Sequence, residues 1–415
     1  MKRREFLRTL SSTVTAGAVF HIAKTCGAAS GTKITQARKY LHSIMPSLEL
    51  VEDFIHGRYP KSYKPGEIFK YDSELGWVQA EAVGSTGVDG SKVFYSYEPD
   101  GARKVINFPD KPCRIHVYGN SFTHCSQASN GETWAEYLAA HLQEPIRNYG
   151  VGGYGVYQAY RRMLKIERQN SAEYIILNVW DDDHFRNLDA WRSIRFGRGS
   201  RCGFTLPHLR VDVKKDSCEQ FENLLGKPED VYKLCDKDFV WKTFKDDPIL
   251  KLVLAARTGD KISQELVNPV AVSFGIPDEI FTDIDAARQI KKIHTEAALY
   301  STKNVITWVE KFVEKTGKKL MVVLSFGRGN IAADLQGRPR FDQSFVDWLK
   351  SKPYPVIDMR DAFGCDYERY KVDIDSYLTP YYIGHHTPAG NFFTAWAIKD
   401  RLVEWLTPKP LPYRG

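Results

Sequence analysis

From residue 112 onward the chain alternates short apolar runs with longer amphipathic stretches. Apolar runs ending in polar or glycine residues occur at Ile115–Tyr118, Ile146–Tyr149, Tyr174–Trp180, Leu320–Phe326 and Pro355–Met359. Runs of this length and composition predict strands. Helical spacing of apolar positions occupies 132–143, 155–169, 286–316, 341–350 and 388–407. Regular alternation of the two predicts an α/β domain whose parallel sheet is covered on both faces. In such sheets chemistry sits beyond the carboxyl ends of the strands. Those ends are therefore where functional residues are sought.

Two regions depart from the rhythm. Residues 30–110 form an N-terminal elaboration, with helical spacing over 33–56. Short strands are predicted around Leu75-Gly76-Trp77-Val78 and Val93–Tyr97. Between about 190 and 285 the alternation lapses into polar, aromatic and cysteine-containing segments. This insertion leaves the third strand at its carboxyl end, which favours a cap or substrate platform over mere surface padding. No internal repeat or low-complexity tract is present.

The first residues read differently again. Arg3-Arg4-Glu5-Phe6-Leu7-Arg8, a mildly apolar run from Leu10 to Ile22, and Gly27-Ala28-Ala29-Ser30 have the order of an export signal over residues 1–29. The paired arginines followed by Phe-Leu resemble the twin-arginine type, which implies the Tat machinery as a partner. The apolar run is too short and too rich in Ser, Thr and Gly for a stable span. The expected location is periplasmic or secreted. Residues 1–29 carry five Lys/Arg and one Glu, so removing them lowers the formal charge from +7 to 7 − 4 = +3. A near-neutral chain gives no reason to invoke nucleic acid. Six cysteines lie beyond residue 29 and none has Cys-x-x-Cys spacing. Cys202, Cys218 and Cys235 share one segment, where an oxidising compartment permits a bridge.

The strand ends carry the chemistry. The first strand runs into Gly119-Asn120-Ser121-Phe122-Thr123, which puts a serine hydroxyl at the sheet edge and its N–H at a helix start. The second ends in Asn148-Tyr149-Gly150-Val151-Gly152-Gly153-Tyr154-Gly155, where backbone can approach a ligand closely. It lacks a following Gly-Lys-Ser/Thr, which argues against a phosphate loop. The third ends in Trp180-Asp181-Asp182-Asp183-His184, a cluster fit for a metal, a solvated turn or site hydrogen bonds. Near the C-terminus, Gly384-His385-His386-Thr387-Pro388-Ala389-Gly390-Asn391 precedes a helical pattern, a placement suited to acid–base work.

Taken in order, these four blocks resemble the SGNH (GDSL-like) hydrolase superfamily over about 112–407, the insertion excepted. The resemblance implies a flavodoxin-like three-layer sandwich with a five-stranded parallel sheet, here within 111–415. It implies Ser121 as nucleophile, His385 as base, and the N–H groups of Ser121 and Gly153 as oxyanion donors, with no metal or organic cofactor. His386 becomes a neighbour, at the surface or behind the base. Three positions depart from the family pattern. Asn120 stands where Asp is usual. Asp182 stands where the third block has an oxyanion-binding Asn; an ionised carboxylate only accepts hydrogen bonds. Asp182 would serve the site protonated, or Asn178 would substitute, or two backbone donors would suffice. Ile383 and Tyr382 hold the positions where an orienting Asp is usual. Asp373, Asp375, one of Asp181–Asp183 or a backbone carbonyl would then orient His385.

The activity implied is hydrolysis of an acyl ester, acetyl foremost. An exported chain with an aromatic insertion points to an acylated polysaccharide or oligosaccharide, with Trp180, Trp191 and Trp241 as stacking surfaces and Arg328 as an anion contact. An O-acyltransferase on the same scaffold and a non-catalytic carbohydrate-binding descendant are the competing readings. A metal-dependent hydrolase using Asp181–Asp183 with His184 and His385 is more distant.

Overall fold

The structure is a computed structural model describing residues 33–58, 67–198, 203–277 and 284–414. The export-signal reading of 1–29 and Cys202 lie outside the described residues.

Five strands form one sheet: Ile115–Tyr118, Ile146–Asn148, Tyr174–Trp180, Lys319–Ser325 and Val356–Asp358. All neighbours run parallel, with Ile115 opposite Ile146 and Tyr174, Lys319 opposite Tyr174, and Val322 opposite Val356. In chain order the strands lie 2-1-3-4-5, the flavodoxin-like arrangement. The expected α/β sandwich is therefore present. The middle strand, Tyr174–Trp180, is buried at all seven positions, as a parallel strand covered on both faces must be.

Helices Trp134–Leu142 and Pro388–Trp405 pack together over the sheet, as do Val156–Glu167 and Ala286–Thr316. Their ends are chemically marked. Thr133, Asp285 and Thr387 cap amino termini with side-chain oxygens, and Pro388 follows Thr387 as the first helical residue. Because Thr387 ends the loop that carries His385, this cap also fixes where the loop enters the helix.

The N-terminal elaboration belongs to the same core. Its helices are Lys33–Ser43 and Leu48–His56, followed by antiparallel pairs Ile68–Asp72 with Gly76–Ala80 and Ala82–Gly84 with Val93–Tyr95. Trp77 is fully buried, and its Nε1 donates to the Gly152 carbonyl at 2.9 Å. Tyr154 Oη donates to the Trp77 carbonyl at 2.5 Å. The buried Glu136 carboxylate accepts from the N–H groups of Ile106 and Asn107 at 3.1 and 2.8 Å. The elaboration is thereby fastened to the glycine turn after the second strand and to helix Trp134–Leu142.

The insertion holds a hairpin, His208–Asp212 with Ser217–Phe221, and helices Lys237–Phe244, Pro248–Ala256 and Gln264–Phe274. It packs on the N-terminal helices: Phe204 stacks on Phe54, and Tyr40 Oη donates to the Ile194 carbonyl. Trp191 is fully buried with its Nε1 on the Gly203 carbonyl. It is a core residue, so the expectation that it stacks on a ligand is corrected. Cys218 and Cys235 are free thiols, as are Cys113, Cys125 and Cys365.

Trp77→Ala should lower unfolding free energy by about 3–5 kcal/mol, as large buried aromatics do on truncation. Denaturant unfolding monitored by circular dichroism measures it. A loss below about 1 kcal/mol would mean that the elaboration is not part of the cooperative unit.

Candidate active site

Ser121 opens a short helix, Ser121–His124, directly after the first strand. Asn120 caps it, its Oδ1 accepting from the Phe122 N–H at 2.7 Å. Three asparagines from three strand ends hold this segment. Asn120 Nδ2 donates to both Asp183 carboxylate oxygens at 2.8 Å. Asn148 Nδ2 donates to the Thr123 carbonyl at 2.6 Å, and Asn178 Nδ2 to Thr123 Oγ1 at 3.0 Å. The Asn at 120 now has a reason: an ionised Asp there would face the Asp183 carboxylate. Ser121 is buried, with 6% of its surface exposed.

His385 reaches Ser121 across 264 residues, with Nε2 at 2.8 Å from Oγ. Its other ring nitrogen, Nδ1, lies 3.2 Å from Gln127 Oε1, and its backbone N–H donates to the same oxygen at 2.8 Å. Gln127 Nε2 donates to the Thr86 carbonyl at 3.0 Å. One obligate backbone donor and one obligate backbone acceptor thus fix which end of the Gln127 amide is oxygen. Oxygen faces Nδ1, so Nδ1 carries the proton and Nε2 presents its lone pair to Ser121. That is the tautomer a base needs.

The backbone around this contact is specialised. Gln127 has φ 71° and Cys125 φ 60°, so the chain coils back sharply after the helix. Such conformations cost about 1–3 kcal/mol for non-glycine residues and need support from their surroundings. Tyr95 Oη accepts from the Gln127 N–H at 3.0 Å and supplies part of it. Gly384, before the histidine, has φ 119°, and a Cβ there would stand 2.9 Å from Gln127 Oε1. A side chain at 384 would therefore push the orienting amide away.

Gly153 has φ 82° in the turn after the second strand. Among the described residues, none accepts a hydrogen bond from the N–H of Ser121 or Gly153. Both amides are available as anion donors. Burial lowers the His385 pKa; the charge of Glu67 opposes this and that of Arg186 adds to it. Phe122 packs against His385 and His386, with Trp180 stacked on its far side.

Several expectations need correction. The Asp182 carboxylate is held by Arg186 at 2.8 Å and Arg195 at 2.7 Å. Burial alone would raise its pKa, but the two guanidinium groups bring it well below the usual carboxylate range. It is an ionised acceptor occupied by arginines, not an oxyanion donor. Asn178 donates to Thr123 Oγ1 and is buried beneath the nucleophile segment. Asp373 caps helix Ile374–Leu378, and Asp375 pairs with Arg328, which Thr379 Oγ1 also engages. Neither orients His385, and Arg328 is already matched to a carboxylate. Asp181 accepts from the Gly327 N–H at 3.0 Å, and burial raises its pKa to about 7. His184 bonds Thr302 at 2.9 Å, away from the serine. His386 is buried, not at the surface. Among the described residues no cluster of His, Cys, Asp or Glu has a metal-binding arrangement.

No family model and no curated protein sequence matches the chain. A solved structure of a protein assigned to the lipolytic G-D-S-L family, from Desulfitobacterium hafniense, is similar at 11% identity. The similarity covers 69% of this chain and 97% of the other, with a TM-score of 0.29. At that score the likeness assigns neither fold nor activity. The parallel 2-1-3-4-5 order rests on the strand pairing itself.

Asp182→Asn should destabilise the protein by about 3–5 kcal/mol at neutral pH, because two buried arginines lose their shared counter-charge. The folded pKa of Asp182 is depressed, so its contribution is present above the unfolded value of about 3.9 and fades as pH falls below it. The gap between wild type and variant in denaturant unfolding should accordingly close in acid. A gap that persists at low pH would mean the ion pairs are not its source.

Proposed function

We propose that this protein is an SGNH-type serine esterase that hydrolyses acyl esters, acetyl foremost, on an extracytoplasmic carbohydrate. The observation that carries the reading is the Ser121–His385 contact at 2.8 Å with the base tautomer fixed from behind. Three blocks at the ends of the first three strands and a fourth ahead of the last helix support the family assignment.

In the reaction, His385 Nε2 takes the Ser121 hydroxyl proton as Oγ bonds to the ester carbonyl carbon. The carbonyl π electrons move to oxygen, and the N–H groups of Ser121 and Gly153 receive that charge. As the C=O re-forms, the bond to the leaving alkoxide breaks and Nε2 returns its proton to that oxygen. Water repeats the sequence on the acyl-serine and restores the enzyme.

Export rests on Arg3-Arg4-Glu5-Phe6-Leu7 and the small residues at 27–30. The carbohydrate rests on that address alone, since Trp180, like Trp191, is buried, with its ring against Phe122 and Arg186.

Ser121→Ala should reduce hydrolysis of 4-nitrophenyl acetate by at least about 1000-fold while leaving the melting temperature within a few degrees. It should also abolish labelling by a fluorophosphonate probe. Retained hydrolysis in that variant would overturn the assignment. The pH profile of kcat/KM should rise with pH along a limb below the ordinary imidazole pKa, since only neutral His385 accepts the proton and burial favours that form. A limb above that value would contradict the desolvated base.

A further inference from the structure

The acid of a Ser–His–acid triad performs two tasks. It orients the imidazole, and its charge balances the imidazolium that forms when the serine proton arrives. Gln127 satisfies the first in this protein and, being neutral, cannot satisfy the second. A carboxylate elsewhere in the same wall is positioned to do so.

That carboxylate is Glu67, on the edge of the first hairpin. Its Oε1 accepts from Ser126 Oγ and lies 3.0 Å from His124 Nδ1. Its side chain is largely buried, 15% exposed. Oε2 lies 3.2 Å from where a Cβ on Gly152 would stand. Glu67 therefore grips the Ser121–Gln127 segment at His124 and Ser126, next to Gln127 and beside the turn that presents Gly153.

The partner histidine does not cancel this charge. His124 is fully buried, stacked against Tyr95 and Tyr97, with Nε2 2.9 Å from Tyr97 Oη. Burial pushes its pKa down to about 4. Burial alone would raise the Glu67 pKa, but the bonds from His124 and Ser126 hold it below the usual carboxylate range. At neutral pH the pair is a neutral imidazole beside a carboxylate, with net charge −1. The other groups facing this region are Arg186, which opposes protonation of His385, Arg103 behind His124, and His386, which burial keeps neutral with a pKa of about 3. Arg186 is already matched by Asp182 and Asp183. Among the described residues Glu67 is the carboxylate whose charge favours the protonated His385.

We propose that the two tasks of the triad acid are divided here: Gln127 orients His385, and Glu67 supplies the balancing charge from across the Ser121–Gln127 segment. Both are positioning residues, since neither touches the reacting atoms. This rests on the esterase reading for its kinetic half. Its electrostatic half is read on the protein without turnover.

The test uses the full chain, with the His385 pKa followed by NMR of labelled histidine and assigned by its loss in His385→Gln. Glu67→Gln should move that pKa, and the acidic limb of kcat/KM, downward by about half a unit or more. Glu67→Asp draws the charge back by one methylene and should give a smaller shift; it serves if Glu67→Gln does not fold. Gln127→Leu should lower kcat for 4-nitrophenyl acetate by about 10- to 100-fold with KM changed less than about twofold. Gln127→Glu, which keeps an acceptor at the same place, should recover much of that loss. An unmoved His385 pKa in the folded Glu67 variant overturns the charge assignment. Undiminished kcat in Gln127→Leu overturns the orienting one. A wild type that neither hydrolyses the ester nor takes up fluorophosphonate overturns the esterase reading instead, and the NMR shift still decides the role of Glu67.

Discussion

A single side-chain carbonyl, Gln127 Oε1, accepts two hydrogen bonds from one residue: the backbone N–H and the Nδ1–H of His385. The amide cannot turn over, because its nitrogen is committed to the Thr86 carbonyl. Everything chemical at the site depends on this arrangement. With Nδ1 protonated, Nε2 is free to take a proton from Ser121. With the amide reversed, the ring would be held in the wrong tautomer and the same 2.8 Å contact would be inert. A neutral orienting group also changes the energetics, since an amide stabilises imidazolium far less than a carboxylate does. The nearby negative charge of Glu67 makes sense of that difference.

The sheet supplies the second requirement, a serine that does not drift. The 2-1-3-4-5 order places the ends of the first three strands side by side. Asn120, Asn148 and Asn178, one from each, converge on a segment of four residues: Asn120 accepts from the Phe122 N–H, and the other two donate to Thr123. Side chains on strands and short caps are more exactly held than side chains on free loops. His385 lacks a strand of its own, and its loop is fixed instead by the Thr387 cap ahead and by Gln127 behind.

Much of this was legible before any coordinates. The five strands and the long helices follow from periodicity, and three of their boundaries, Ile115–Tyr118, Tyr174–Trp180 and Ala286–Thr316, coincide with the apolar pattern. Ser121 was legible because it follows the first strand, where a parallel sheet concentrates reactive groups, and His385 because paired histidines stand ahead of the last helical pattern. Gln127 was not. It lies six residues past the serine in an irregular coil, and a glutamine in a loop carries no signal of its own. Glu67 was invisible for a related reason: it meets the site only through the packing of the elaboration. The Asp182 expectation failed on partners from elsewhere. Its position suggested an oxyanion role, but Arg195 arrives from the insertion and Arg186 from the next turn, and together they claim the carboxylate. Trp191 failed likewise, because composition cannot say that an aromatic residue in an insertion faces inward.

The central claim is that His385 is held as a base by the Gln127 carbonyl. Ring-nitrogen NMR of isotopically labelled protein, with His385 neutral, tests it most directly. The account predicts a protonated Nδ1 and an unprotonated Nε2. A proton on Nε2 in the neutral form would contradict it.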